Sequence, residues 1–166
     1  MDWLGTLFLY LHIAGVIVAF GPTIAFPFIA MKAAQEPMHG NFVLRTTHFI
    51  TQRVVEPGAV FVFLMGVGLI VTRGYNPLED LWVALSIVLF LITLGFANLV
   101  QTSTVKKMIA LTSQPPPGAG DAAEPRAGAA GPPPEFLELS QKAARGGQFM
   151  LLMLFTILAL MVVKPF

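Results

Sequence analysis

Four stretches of this chain are too long and too apolar to be hidden by what remains of it. They run roughly from Trp3 to Ala30, Ala59 to Val71, Leu81 to Val100 and Phe149 to Val163. A soluble domain carries roughly 25% charged residues. Here the figure is 11%, against 55% hydrophobic residues, and the mean hydropathy is +0.74. So few polar side chains cannot cover four such segments in water, whereas in a bilayer about 20 apolar residues make a span. The second and fourth runs are shorter, and each gains the missing length from an amphipathic stretch before it, starting near Val43 and Phe136.

The expected fold is therefore all-α, a transmembrane four-helix bundle with N-out/C-out topology and helices projecting into the cytoplasm. The whole is one domain. Residues 1–113 hold the first three helices, with a cytoplasmic connection over 31–56, and residues 136–166 hold the fourth. Between them QPPPGAGDAAEPRAGAAGPPPE, residues 114–135, is a Pro, Gly and Ala tract with almost nothing to bury. Such a segment cannot offset its ordering entropy and is expected to be a disordered linker.

Orientation follows from the basic residues. Lys32, Arg45, Arg53, Lys106, Lys107, Arg126, Lys142 and Arg145 fall in the two long connections, and only Arg73 and Lys164 fall at the other end. The positive-inside rule then puts the long connections in the cytoplasm. Trp3, Tyr10, Tyr75 and Trp82 lie near the outer ends, where amphipathic rings favour the headgroup zone. The first segment has no cationic residue before Lys32 and an apolar part far longer than a signal peptide's, so it reads as a retained span.

The first span contains LYLHIAGVIVAFGPTIAFPF, with a histidine and two prolines at membrane depth. His12, Gly15, Ala19, Thr23 and Phe26 share one helical stripe. Gly15 and Ala19 form a small-xxx-small pair that lets helices approach closely, so His12 is expected to face another helix. Three roles compete for it: an interhelical hydrogen bonder, a haem or metal ligand, and a proton carrier. His48 lies about 20 Å from it along the axis, so a bis-histidine haem within one chain is disfavoured. Pro22 and Pro27 are expected to kink the helix.

A second candidate lies on NFVLRTTHFITQRVVEPG, residues 41–58. Arg45, Gln52, Ala59, Gly66 and Arg73 recur every seven residues with His48 and Glu56 beside them, which reads as one inward-facing stripe. With Arg53, Gln101 and Arg145 the residues Arg45, His48 and Gln52 make a polar cytoplasmic cluster, suited to a lipid headgroup, an anionic ligand or a haem propionate. Glu56 is placed to pair with Arg53. Met31, Met38, Met150 and Met153 are read as apolar filler in preference to Cu(I) ligands. The chain has no cysteine, and no metal site is expected. No nucleophile triad, phosphate loop or H-E-x-x-H motif occurs, and a net charge of +1 gives no reason to expect nucleic acid.

The run LHIAGVIVAFGPTIAFPFI, followed by a basic connection and RVVEPGAVFVFLMGVGLIV, resembles a bacterial family of predicted four-helix integral membrane proteins catalogued as a domain of unknown function. The shared motifs are Leu-His-x-x-Gly in the first helix, then Pro-Gly and Gly-x-Gly in the second. Through Leu11, His12 and Gly15 the chain is more distantly similar to the copper-resistance protein D group and the HemJ-type protoporphyrinogen oxidases. That likeness implies haem b as a cofactor and His12 as its axial ligand. The expected function is a bundle in the bacterial inner membrane, acting in the lipid bilayer through association with itself or another membrane protein. A haem-binding redox protein and a proton- or metal-linked transport element are the alternatives.

Overall fold

The computed structural model describes residues 2–113 and 133–165. The expected linker lies outside the described residues except for its last three, of which Pro134 and Glu135 already open the fourth helix. The described residues are helical with no strand. In chain order they form α1 (Trp3–Gln35), α2 (Gly40–Ile50), α3 (Glu56–Arg73), α4 (Leu81–Phe96), α5 (Thr102–Ser113) and α6 (Pro134–Val163). One π-helical turn, Thr51–Val55, joins α2 to α3, and another, Ala97–Gln101, joins α4 to α5.

Four continuous helices of 33, 34, 33 and 30 residues result, each apolar enough to cross a membrane. At 1.5 Å per residue they are about 45 to 50 Å long, against a hydrocarbon core of about 30 Å. Even a tilt of about 40° would leave nearly 40 Å along the membrane normal for the longer ones, so they overshoot. The overshoot lies at the end holding Lys32, Arg45, Arg53, Lys106, Lys107, Lys142 and Arg145, called here the basic end. There α1 turns into α2 within Glu36–His39, so the expected connection over 31–56 is almost wholly helix.

At the opposite end, called the terminal end, the turn is tight. Gly74 caps α3 with φ 69°, a left-handed conformation that suits glycine. Asn76 N–H donates to Asp80 Oδ2 at 2.8 Å and Leu78 N–H to Asn76 Oδ1 at 3.1 Å, which closes the turn before α4. Lys164 Nζ donates to Tyr75 OH at 2.8 Å and lies 5.1 and 5.2 Å from the Tyr75 and Trp82 ring centres. Arg73 Nε stands 3.7 Å from Asp2 Oδ2. These contacts tie the ends of all four helices together.

α1 packs along α3 and α4 along α6, making two antiparallel hairpins. Close approach between hairpins is limited to α2 against α5 at the basic end and a brief contact of α1 with α6. No Cα of α3 comes within 8 Å of one in α4 or α6. Phe63 of α3 and Phe90 of α4 reach across that space, their rings stacked at 5.6 Å. α1 runs as one unbroken helix through Pro22 and Pro27.

Candidate functional site

The seam inside the first hairpin is built from residues without side chains. A Cβ added to Gly58 would stand 2.6 Å from Ala19 Cβ, one on Gly66 3.2 Å from His12 Cε1, and one on Gly68 2.5 Å from Phe8 Cδ1. In the other direction Gly15 receives Phe61 and Val62. Successive contacts climb α1 as they descend α3, so every hole is filled by a knob of the antiparallel partner. Without a hydrophobic effect to separate helices from lipid, this close fit is what holds membrane helices together.

His12 sits in the middle of that seam, 8% exposed. Its Nδ1 lies 2.9 Å from the carbonyl oxygen of Val62. A carbonyl only accepts, so Nδ1 carries the hydrogen and donates. The same carbonyl serves the α3 helix bond to Gly66, four residues on. A side chain at Gly66 would cover it; the glycine leaves it open to the imidazole. In the neutral ring the lone pair then falls on Nε2. Nε2 makes no hydrogen bond among the described residues, yet none of their buried side-chain nitrogens or oxygens lacks a partner. It follows that Nε2 retains some accessible surface.

The second hairpin repeats the device. Gln101 Nε2 donates to the carbonyl of Ala143 on α6 at 3.0 Å, and a Cβ on Gly146 would run into Gln101 Oε1. In each hairpin one polar side chain bonds a backbone carbonyl of the neighbouring helix, next to a glycine three or four residues further along. Phe96 and Phe149, edge to face at 4.9 Å, close the second seam above Gln101.

Of the six residues of the expected polar cluster, Gln101 alone makes a side-chain hydrogen bond, and no hydrogen bond or ion pair links any two of them among the described residues. Arg45, Gln52, Arg53 and Arg145 are exposed and His48 is half-buried. The heptad stripe runs inward at Ala59 and Gly66, then slips. Within the π-turn Val55 is buried and Thr51 half-buried while Gln52 is exposed, and in α2 Leu44 and His48 are half-buried while Arg45 is exposed, so the heptad positions fall one residue off the packed side. A π-turn holds an extra residue, and one residue rotates a helix by about 100°, which carries Arg45 and Gln52 to the outside. The turn's wide bond, from Glu56 N–H to the carbonyl of Thr51, immediately precedes Pro57, which has no N–H to offer the carbonyl of Arg53. At the other π-turn the Asn98 amide occupies the carbonyl of Leu94 at 2.9 Å.

Arg53 does not pair with Glu56; its guanidinium stands 6.0 Å over the Phe49 ring. His39 lies at the α1–α2 turn, 3.5 Å from Glu36, far from His12 in the fold. No group of three or more His, Cys, Asp or Glu gathers among the described residues. The carbonyl of Val62 and the glycine beside Gln101 were not foreseeable from the sequence. Gly-x-Gly at Gly66 and Gly68 was the only signal of where the histidine docks.

A family model described as "Predicted integral membrane protein (DUF2269)" matches residues 6–165. No curated protein and no solved structure matches the chain.

Proposed function

The chain belongs to the DUF2269 family of predicted integral membrane proteins, and from that premise we propose that it works as an assembly element, through association with itself or with another membrane protein. Its glycines carry this reading. In a helix interior glycine costs about 1 kcal/mol relative to alanine, so it needs a return. Gly15, Gly58, Gly66, Gly68 and Gly146 have one, since a neighbouring helix occupies the space a side chain would take. Gly21, Gly95 and Gly147 have none: a Cβ at each meets nothing within 4 Å. Backbone left bare on a membrane helix is where a further helix can approach.

The chain's lack of cysteine makes the test direct. Single cysteines placed at and around positions 21, 95 and 147 are oxidised in native membranes. The expected result is crosslinking to a second copy or to a partner at positions repeating with the helical period, lost when the nearby glycine becomes leucine. Absence of any periodic crosslink along all three helices would end the proposal.

A second reading, haem b held by His12, is favoured by the Nδ1 hydrogen bond. A ligating histidine normally donates its other ring N–H to a carbonyl or carboxylate, which fixes the tautomer. Haem iron bound at Nε2 would give this chain redox chemistry, with His12 as axial ligand and its ring held by Val62. The visible spectrum of protein expressed with haem supply decides it. A Soret band present in the natural chain and missing in His12→Ala is the expected outcome, and equal spectra would discard haem at this residue.

A further inference from the structure

Along the outer side of the α4–α6 seam, where the helices meet the basic end, runs an open cavity of about 410 Å³. Its floor is Phe96, Val100, Gly146 and Phe149, and its rim carries Lys142 and Arg145. We propose that this groove holds an anionic glycerophospholipid, with the phosphodiester at Lys142 and Arg145 and the start of an acyl chain on Phe96 and Phe149.

Depth is the first support. Counting about 20 residues, or 30 Å, from the terminal ends of α4 and α6 places the hydrocarbon boundary near Gln101 and Ala143. Lys142 and Arg145 then lie within about 3 Å of that boundary, while Phe96 and Phe149 lie about 7 to 9 Å inside it. Charge sits where headgroups are and aromatic surface where acyl chains are.

Pairing is the second. Neither Lys142 nor Arg145 has a carboxylate within ion-pair distance among the described residues, although Glu138 is on the same rim. The comparable hollow at the α1–α2 turn differs. It is lined by Lys32, Glu36 and His39, among others, and there Glu36 lies 3.0 Å from Lys32 Nζ and 3.5 Å from His39 Nδ1. Of these two hollows it is the α4–α6 groove that, among the described residues, presents unpaired positive charge above an apolar floor. The Gln101–Ala143 bond contributes by drawing the amide into the seam, leaving the groove to the cations and rings.

The test titrates the purified full chain in detergent with phosphatidylglycerol or phosphatidylcholine and reads bound lipid by native mass spectrometry. Phosphatidylglycerol is expected to bind in preference. Lys142→Gln and Arg145→Gln should each cut that preference about fivefold, the usual worth of a cation near an anionic headgroup. The pair Lys106→Gln and Lys107→Gln, exposed on α5 away from the groove, should change nothing. Glu138→Gln, which removes the opposing carboxylate, should raise the preference. The proposal fails if there is no preference, if the α5 pair costs as much as the groove pair, if Glu138→Gln has no effect, or if inorganic phosphate displaces the lipid, since a free anion would then suffice.

Discussion

A single histidine at membrane depth has its structural reason in a neighbour's missing side chain. His12 reaches a carbonyl because residue 66 is glycine, and the hydrogen bond it makes is of a kind worth about 0.6 to 2 kcal/mol between membrane helices. The tighter constraint is Gly58 beneath Ala19, where a methyl group would stand 2.6 Å from one carbon and 3.2 Å from the Cα. Gly58→Ala is expected to destabilise the detergent-solubilised chain by about 1 to 3 kcal/mol, the usual range for overpacking. Gly95→Ala, with open space around it, should be neutral or gain up to about 1 kcal/mol from helix propensity. Denaturation of the helical signal measures both. Ala19→Gly placed with Gly58→Ala should recover part of the loss, because residues in contact do not add. Equal costs at positions 58 and 95 would contradict this packing.

At the scale of the element the two π-turns matter most. Each lies at the basic end of a span and holds a residue of the expected polar cluster, Gln52 and Arg53 in one and Gln101 in the other, and one extra residue turns the helix beyond it by about 100°. The turn at Thr51–Val55 ends two residues before Pro57, which lacks the N–H an α-helix would use there. Restoring an N–H with Pro57→Ala should convert the turn to α-helix and rotate residues 40–50 by about 100° relative to α3. Single cysteines at positions 45 and 52, now exposed, should then lose reactivity toward a membrane-impermeant maleimide, and one at position 44 should gain it. Unchanged labelling at all three positions would show that the turn does not arise from the proline.

The whole molecule is two hairpins, each closed by its own glycine seam, joined mainly at their ends. The aromatic contact of Phe63 with Phe90 bridges the membrane-depth gap, while the Asn41 amide donates to Thr112 Oγ1 at 2.8 Å and Ser113 Oγ at 3.1 Å at the basic end. A double-mutant cycle on Phe63→Ala and Phe90→Ala should give a coupling of about 0.5 to 1.5 kcal/mol, the range for aromatic pairs. A cycle across hairpins at His12 and Gln101 should give none, because each residue closes its own seam. Coupling between His12 and Gln101 would mean that the hairpins pack as one body through the membrane.

Much of this was legible in the sequence. Hydropathy fixes four spans because backbone polar groups in lipid must be satisfied within a helix, and the borrowed lengths before Ala59 and Phe149 follow from periodicity. The small stripe of Gly15 and Ala19 located the face of α1 that meets α3, and so put His12 inside. Three things were decided only by the tertiary structure. Which carbonyl His12 bonds depends on Gly66 arriving opposite it, a coincidence of two helices 54 positions apart in sequence. The dispersal of Arg45 and Gln52 depends on a turn that adds one residue, which a period of seven cannot register. The groove between Phe96 and Phe149 exists only because α4 and α6 lie side by side, since Phe96 comes from α4 while Gly146, Phe149 and the rim cations come from α6.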